Sequence, residues 1–286
     1  MKKPEWIKKK VNSEGFQVIQ NLMMNLNVNT VCYDASCPNI ATCFNKKIAT
    51  FLILGNNCTR NCKFCGISYE KPNFIDHNES MAVLKAIEEL NLNYVVITSV
   101  TRDDLIDQGA SHFLEVVKLI RHKLPHVRIE LLIPDFYASK SLIKKIISLK
   151  PDVLGHNIET IKSLYPKIRP NSSFFDSIKV LKIIKELDPN QLVKSGFMVG
   201  LGESMEEIRE LIVEISQTKC DILTVGQYLQ PSLAQIEVKK YYSEKDFMVI
   251  KKTAEYLGIK KVITGPFIRS SYNGAEIYNS MFFLDD

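Results

Sequence analysis

The sequence predicts an α/β protein, a partial (β/α)6 TIM-like barrel with an N-terminal and a C-terminal extension. The length of 286 residues suits one α/β barrel. From residue 49 onward, short apolar runs alternate with segments of helical periodicity, and six such runs in series favour a parallel sheet that curls into an incomplete barrel. We therefore expect an N-terminal extension at residues 1–48, the barrel at residues 49–258 and a C-terminal extension at residues 259–286.

The individual elements follow from local patterns. Apolar runs predict six strands: Ala49–Gly55, Tyr94–Val100, Val127–Pro134, Val153–Glu159, Leu192–Gly202 and Ile222–Leu229. Apolar residues at i, i+3, i+4 and i+7 predict three helix faces that cover the sheet: Val83, Ala86, Ile87 and Leu90; Phe113, Val116, Val117 and Ile120; Val180, Ile183, Ile184 and Leu187. An acidic residue three positions after a serine predicts helix starts at Ser173, Ser204 and Ser243.

Composition and charge are those of an ordinary globular enzyme. Hydrophobic residues make up 45% of the chain and charged residues 24%. The net charge of +5 indicates a preference for acidic partners, and no nucleic-acid binding is expected. The N-terminal extension contains one amphipathic stretch, Phe16–Leu26, and a group of lysines that we interpret as a solvated, flexible end: Lys2, Lys3, Lys8, Lys9 and Lys10.

The sequence carries no recognisable membrane or export signal. No apolar run approaches the ~20 residues that span a bilayer, and the first residues lack the apolar core of a secretory signal. Seven cysteines, an odd number, argue for reduced thiols and not for disulfides. We therefore expect a cytoplasmic protein that does not bind membranes.

Three cysteines lie on one short loop directly after the first predicted strand, which we call the Cys58 loop: Cys58-Thr-Arg-Asn-Cys62-Lys-Phe-Cys65. In a barrel of this class the working loops lie at the carboxyl ends of the strands. A tight loop can turn three sulfurs onto one cubane, which normally takes four thiolates, so one iron would remain open to a small molecule. The alternative is a structural zinc loop, although zinc sites usually use paired C-x2-C knuckles.

A second triplet of cysteines precedes the first strand: Cys32, Cys37 and Cys43. Pro38 and Asn39 fit a loop that bends the chain back and brings the three thiols together. The alternative is that these cysteines are buried and unreactive, as isolated cysteines often are. Three in twelve residues favour a second cluster, whereas Cys220 is expected to pack as a small hydrophobic residue.

Near the C-terminus, an apolar stretch at residues 261–268 ends in the polar segment Arg269-Ser-Ser-Tyr-Asn-Gly274. Taken alone, this segment would be an ordinary turn. Two cysteine triplets, however, would leave two irons without a protein ligand. A serine alkoxide is one of few groups that could close one of these irons reversibly.

Several motifs carry a resemblance to known proteins: both cysteine triplets, Thr98–Leu105, Ile133–Phe136, His156–Thr160, Lys194–Glu203, Gly226–Ser232 and Gly265–Tyr272. The spacing of the Cys58 loop, with an aromatic residue before its last cysteine, resembles the signature of the radical S-adenosylmethionine (SAM) superfamily. Together, the motifs resemble those of the lipoyl synthase family over nearly the whole chain. That family inserts two sulfur atoms into a protein-bound octanoyl chain.

The resemblance implies a [4Fe–4S] cluster on Cys58, Cys62 and Cys65. This cluster would bind SAM, accept an electron and cleave SAM to methionine and a 5′-deoxyadenosyl radical. Such a radical is needed because the C–H bonds at C6 and C8 of the octanoyl chain have no acidic proton. Asn157 and Glu159, after the fourth predicted strand, are candidate SAM contacts; the alternative is that they form a capped loop.

The resemblance also implies a second [4Fe–4S] cluster on Cys32, Cys37 and Cys43. Ser271 is its expected fourth ligand, with the adjacent Ser270 as the alternative. This cluster would supply sulfur to the substrate and would be consumed. An oxygen ligand on a soft iron–sulfur site is a mismatch that could ease the release of that iron.

The partners implied by the resemblance are octanoylated lipoyl carrier domains, namely 2-oxoacid dehydrogenase E2 subunits and the glycine cleavage H protein. The electron would come from a small carrier, ferredoxin or flavodoxin, and the chain is expected to be a monomer. One alternative is another sulfur-inserting enzyme, similar to biotin synthase, whose second cluster would be expected inside the barrel. The other is a non-enzymatic iron–sulfur or zinc protein, which would explain the cysteines but not the barrel.

Overall fold

The computed structural model describes residues 4–7, 14–34, 37, 39–45 and 50–282. The group of N-terminal lysines lies outside these residues, as do Pro38 and Ala49, the first residue of the first predicted strand. Among the described residues, no helix is long and apolar enough to cross a membrane.

The centre of the fold is one parallel sheet in which each strand pairs with the next along the chain. Its strands are β1 (Thr50–Ile53), β2 (Tyr94–Ser99), β3 (Arg128–Leu132), β4 (Val153–Gly155), β5 (Val193–Val199), β6 (Ile222–Gln227) and β7 (Lys261–Gly265). All six predicted strands are present at their predicted places. The partial parallel barrel predicted from the sequence is confirmed.

The sheet has one strand more than the six predicted, because β7 pairs with β6 in parallel, with Ile263 opposite Thr224. In the sequence this stretch was assigned to the C-terminal extension. β7 is only five residues long, begins with a lysine and ends in Gly265. Its pairing with β6 is a tertiary contact, so the local pattern alone did not distinguish this apolar stretch from an extension.

Helices connect the strands and cover the outside of the sheet. They are α1 (Glu14–Asn25), α2 (Val31–Asp34), α3 (Ile40–Asn45), α4 (Glu79–Leu90), α5 (Ala110–Lys123), α6 (Lys140–Ile147), α7 (Tyr165–Ile168), α8 (Phe174–Leu187), α9 (Met205–Ser216), α10 (Glu244–Tyr256) and α11 (Gly274–Phe282). The predicted apolar faces of α4, α5 and α8 are buried in the main core, with Leu187 at its edge. Ser204 and Ser243 form reciprocal capping boxes, whereas Ser173 accepts the Asp176 N–H without the return bond.

The last helix, α11, packs at the amino-terminal end of the barrel. Ile277 forms a small core cluster with Val153 and Ile222, the first residues of β4 and β6. Tyr278 packs on Tyr94, the first residue of β2, with ring centroids 6.0 Å apart. Helix α11 therefore fixes the end of the polar segment that precedes it.

Candidate active site

A cavity of about 330 Å³ lies over the carboxyl ends of the strands. Its floor includes strand residues such as Thr98, Leu132, Gly196 and Thr224. Five of the six cysteines in the two triplets line it: Cys32, Cys37, Cys58, Cys62 and Cys65. The sixth, Cys43, is buried in α3. The fold therefore brings together two triplets that lie on opposite sides of β1 in the sequence.

The Cys58 loop is fixed by backbone hydrogen bonds, some of them to sulfur. The Cys58 N–H donates to the Ser68 carbonyl at 2.9 Å. The Cys58 Sγ accepts the N–H groups of Arg60 and Thr101, each at 3.4 Å. The Cys65 Sγ accepts an N–H in the same way. For Cys65, burial outweighs this hydrogen bond and raises the pKa of the thiol to about 12, so metal binding must release its proton.

Arg60, inside the Cys58 loop, is held by two carboxylates. Its Nε donates to Asp103 at 2.8 Å, and its Nη2 donates to Asp135 at 2.9 Å. A second nitrogen, Nη1, also contacts Asp135, and the guanidinium lies 4.9 Å from the centre of the Tyr137 ring. Because Asp103 follows β2 and Asp135 follows β3, the loop is fastened to two neighbouring strand ends.

Arg60 was not predicted from the sequence as a functional residue. Its side chain is only 2% exposed. The available signal was a cation placed between two cluster cysteines, together with aspartates in two motifs that follow strands. Nothing in the sequence indicates that these charges pair.

The segment that carries the second triplet is held by hydrogen bonds between its own backbone groups. The Cys37 N–H donates to the Cys32 carbonyl at 3.0 Å, and the Cys43 N–H donates to the Asn39 carbonyl at 2.9 Å. Burial, the neighbouring Cys37 and other groups raise the pKa of Cys32 to about 12. Without metal this thiol is therefore protonated at neutral pH, and metal binding must release its proton.

The polar segment after β7, residues 266–273, forms a turn that reaches the cavity; we call it the C-terminal turn. Both Ser270 and Ser271 line the cavity. The Ser270 hydroxyl accepts a hydrogen bond from Asn157 Nδ2 at 2.8 Å. Within the described part of the chain, no hydrogen bond engages the Ser271 hydroxyl. The two adjacent serines thus differ, since one is held by the barrel and the other is available.

Asn157 and Glu159 line the same cavity, as does Arg169, which the sequence analysis did not identify. Burial raises the pKa of Glu159, and the nearby Arg169 guanidinium opposes this rise. Two buried polar atoms here have no partner among the described residues, Asn157 Oδ1 and Arg169 Nε. A buried donor and a buried acceptor beside a cavity fit a polar ligand.

The donor set also fits iron–sulfur clusters. Among the described residues, no three cysteine, histidine or acidic side chains surround a position for a single metal ion. A cubane does not require that arrangement, because each thiolate binds a different iron and the sulfurs stand apart. None of the described cysteines forms a disulfide, so the thiols of both triplets are chemically able to bind metal.

Comparison with solved structures places this barrel among known ones. Methylornithine synthase aligns with a TM-score of 0.56 at 17% identity, covering 95% of this chain and 91% of that chain. Streptococcus suis SuiB bound to S-adenosylmethionine aligns with a TM-score of 0.59 at 15% identity, covering 86% and 59% of the two chains. These likenesses concern the fold alone. Residues 52–215 match the Radical SAM superfamily, so the fold and the Cys58 loop define a radical SAM enzyme.

Relatives of similar length identify the group within that superfamily. The lipoyl synthase of Caldanaerobacter subterraneus subsp. tengcongensis is 44% identical over 96% of both chains. The lipoyl synthase of Alkaliphilus metalliredigens is 47% identical over 96% of this chain and 95% of its own. The chain belongs to the lipoyl synthase family, as its motifs indicated. It is a sulfur-inserting radical SAM enzyme, and membership of the superfamily implies SAM and a [4Fe–4S] cluster.

Proposed function

We propose that this enzyme inserts sulfur at C6 and C8 of a protein-bound octanoyl-lysine and that it uses two [4Fe–4S] clusters, one of them as the sulfur source. One observation supports this proposal above the others. Five of the six cysteines of the two triplets, together with Ser270 and Ser271, border a single cavity. Transfer of sulfur to a carbon activated at the neighbouring site requires such a shared space, whereas a purely structural cluster does not.

The first site uses the Cys58 loop. Together with SAM, a cluster bound there would supply the radical chemistry that can remove a hydrogen atom from an unactivated C–H bond. Cys58, Cys62 and Cys65 hold the cluster. Arg60 keeps their loop at the strand ends through Asp103 and Asp135. No catalytic base is assigned, since these carbons offer no acidic proton.

SAM is bound beside this loop by Asn157, Glu159 and Arg169. All three line the cavity, and two of them present a buried polar atom without a partner among the described residues. Arg169 offers a cation and an N–H to the carboxylate of SAM's methionine moiety. Glu159 and the Asn157 carbonyl offer acceptors to its hydroxyl and amino groups.

The second site joins the two ends of the chain. Cys32, Cys37 and Cys43 hold the sulfur-donating cluster, and Ser271 is its fourth ligand. Among the described residues no hydrogen bond engages the Ser271 hydroxyl, which supports this choice over Ser270, whose hydroxyl accepts the bond from Asn157. A serine oxygen on a soft site eases the loss of iron while sulfur is transferred.

The remaining assignments concern organisation and partners. Residues 1–48 act as the extension that carries the second triplet, residues 49–258 as the radical SAM barrel, and residues 259–286 as the extension that carries Ser271. The substrates are the octanoylated lipoyl carrier domains of 2-oxoacid dehydrogenase E2 subunits and of the glycine cleavage H protein. The net charge of +5 on the enzyme favours association with acidic carrier domains. Ferredoxin or flavodoxin supplies the electron to a monomeric enzyme in the cytoplasm, where free thiols persist.

The test uses anaerobically reconstituted protein, iron and sulfide analysis, and an octanoyl-lysyl peptide. Cys58→Ala is expected to abolish 5′-deoxyadenosine formation. Cys37→Ala should still cleave SAM but yield no thiolated peptide. Cys220→Ala is the matched control, because Cys220 is buried outside the cavity lining. Thiolated product from Cys37→Ala would disprove the assignment of the sulfur source, and zinc in place of two cubanes would disprove the whole proposal.

A further inference from the structure

One hydrogen bond connects the two ends of the chain at the second site. The Asn39 side chain donates from Nδ2 to the backbone carbonyl of Phe267, with 2.6 Å between the two atoms. The residues are 228 positions apart in the sequence. Asn39 is only 1% exposed, so water does not compete for this bond.

Asn39 lies between two of the proposed ligands. It follows Cys37 by two positions, and its own carbonyl accepts the N–H of Cys43 at the start of α3. An asparagine at a helix start usually turns its side chain toward its own helix. Such capping uses the side-chain oxygen, so the amide nitrogen remains available, and here it donates to the C-terminal turn. An aspartate could also begin a helix, but only the amide can donate to a carbonyl oxygen.

Phe267 lies on the C-terminal turn, four residues before Ser271. The same turn is held from the barrel side, where Asn157 donates to the Ser270 hydroxyl. The bond from Asn39 therefore reaches a turn that Asn157 also holds from the barrel. The bond between Asn39 and Phe267 thus joins the segment that carries Cys37 and Cys43 to the turn that carries Ser271.

We propose that Asn39 is a positioning residue, which fastens the segment bearing Cys37 and Cys43 to the turn bearing Ser271. It thereby sets the separation between the three thiolates and the Ser271 hydroxyl. This inference rests on the proposed second cluster. It adds to that proposal a residue that binds no iron and yet decides whether the two halves of the site meet.

The first measurement needs no cluster. In metal-free Asn39→Asp, amide hydrogen exchange of Ile268 and Tyr272 in the turn should speed up about fivefold, which corresponds to the net value of one hydrogen bond. The substitution keeps the side-chain volume and the ability to begin α3, but it replaces the donor by an acceptor. Asn78→Asp is the matched control, since Asn78 is an exposed residue at the start of α4 that makes no side-chain cap.

The second measurement is the lipoyl product per 5′-deoxyadenosine after reconstitution. Asn39→Asp should keep near-normal iron and still form 5′-deoxyadenosine, because both cysteine triplets are intact. Its lipoyl product per 5′-deoxyadenosine should fall about fivefold, because Ser271 is no longer held beside the second triplet. Retained SAM cleavage also shows that the variant folds. Asn39→Ala, which removes the donor without adding a charge, should behave in the same way.

Two results would overturn the inference. One is full lipoyl product per 5′-deoxyadenosine in both variants at position 39. The other is faster exchange in α3 alone with an unchanged C-terminal turn, which would mean that Asn39 only begins its own helix. Failure of the proposed second cluster would look different, because the parent protein itself would then hold a single cubane while the exchange result could still stand.

Discussion

Gly226 lies so close to the backbone of Ile268 that a β-carbon on Gly226 would come within 2.1 Å of the Ile268 carbonyl oxygen. Gly226 is in β6, and Ile268 is in the C-terminal turn. Backbone cannot yield as a flexible side chain can, so any larger residue must push the turn away. Because Ser271 follows three residues later, its place in the cavity depends on the absence of a side chain at position 226.

Gly226→Ala is therefore expected to lower the yield of lipoyl product by at least about tenfold per 5′-deoxyadenosine formed, the equivalent of about 1.4 kcal/mol in the placement of Ser271. The measurement is the ratio of the two products in a single assay. Gly258→Ala is the control, since a β-carbon there meets nothing within 4 Å but the positive φ of 87° costs about 1 kcal/mol. Equal loss of product in both variants would mean that Gly226→Ala acts only by destabilising the fold.

Ser271→Ala should retain near-normal iron, because three thiolates still hold a cubane, while lipoyl product collapses. Ser271→Cys should hold the cluster as well or better through a softer ligand but should hinder the loss of iron that sulfur donation requires. Iron analysis and mass spectrometry of the peptide product separate these outcomes.

Ser270→Ala is the matched control for the preceding prediction. It removes the bond from Asn157 but no proposed ligand. Its product yield is expected to fall less than that of Ser271→Ala. Full product from Ser271→Ala would move the ligand role to Ser270 or remove it altogether.

Arg60→Ala should destabilise the metal-free protein by about 3–5 kcal/mol, since it leaves the buried Asp135 carboxylate without its cation. Burial alone would raise the pKa of Asp135, and Arg60 brings that pKa below its ordinary value. Denaturant unfolding of the apoprotein measures the loss. If Asp135→Asn added to Arg60→Ala costs as much again, the two residues do not act as a pair.

Arg169→Lys should raise the KM for SAM by about tenfold or more, because lysine keeps the charge but loses the Nε–H beside the cavity. The kcat is expected to change less. Arg128→Lys serves as the control, since Arg128 is an exposed residue at the start of β3. An unchanged KM would leave Arg169 with a structural role, such as its donation from Nη1 to the Tyr165 hydroxyl at 2.7 Å.

Local spacing was enough to predict much of this protein. Strand and helix periodicities are properties of neighbouring residues, so six strands and the buried faces of α4, α5 and α8 followed from the sequence. The capping boxes at Ser204 and Ser243 span four residues each and formed as expected. Cysteine chemistry is equally local, because a thiol triplet on one loop indicates metal before any fold is known.

The tertiary structure decided the contacts between residues that are distant in the sequence. The seventh strand exists because β6 offers a free edge, and the pairing of Arg60 with Asp103 and Asp135 exists because three strand ends meet. Spacing alone could not choose between Ser270 and Ser271. The bond from Asn157 distinguishes them, and it joins residues 113 positions apart.

The sequence by itself thus determined which residues can carry the chemistry, because reactivity belongs to side chains and their near neighbours. Only the tertiary structure decided which of them share a cavity. The curl of the sheet brings its carboxyl ends together, and the C-terminal turn reaches over them where Gly226 leaves room. Contacts such as that between Asn39 and Phe267 depend on this curvature, and no local pattern records it.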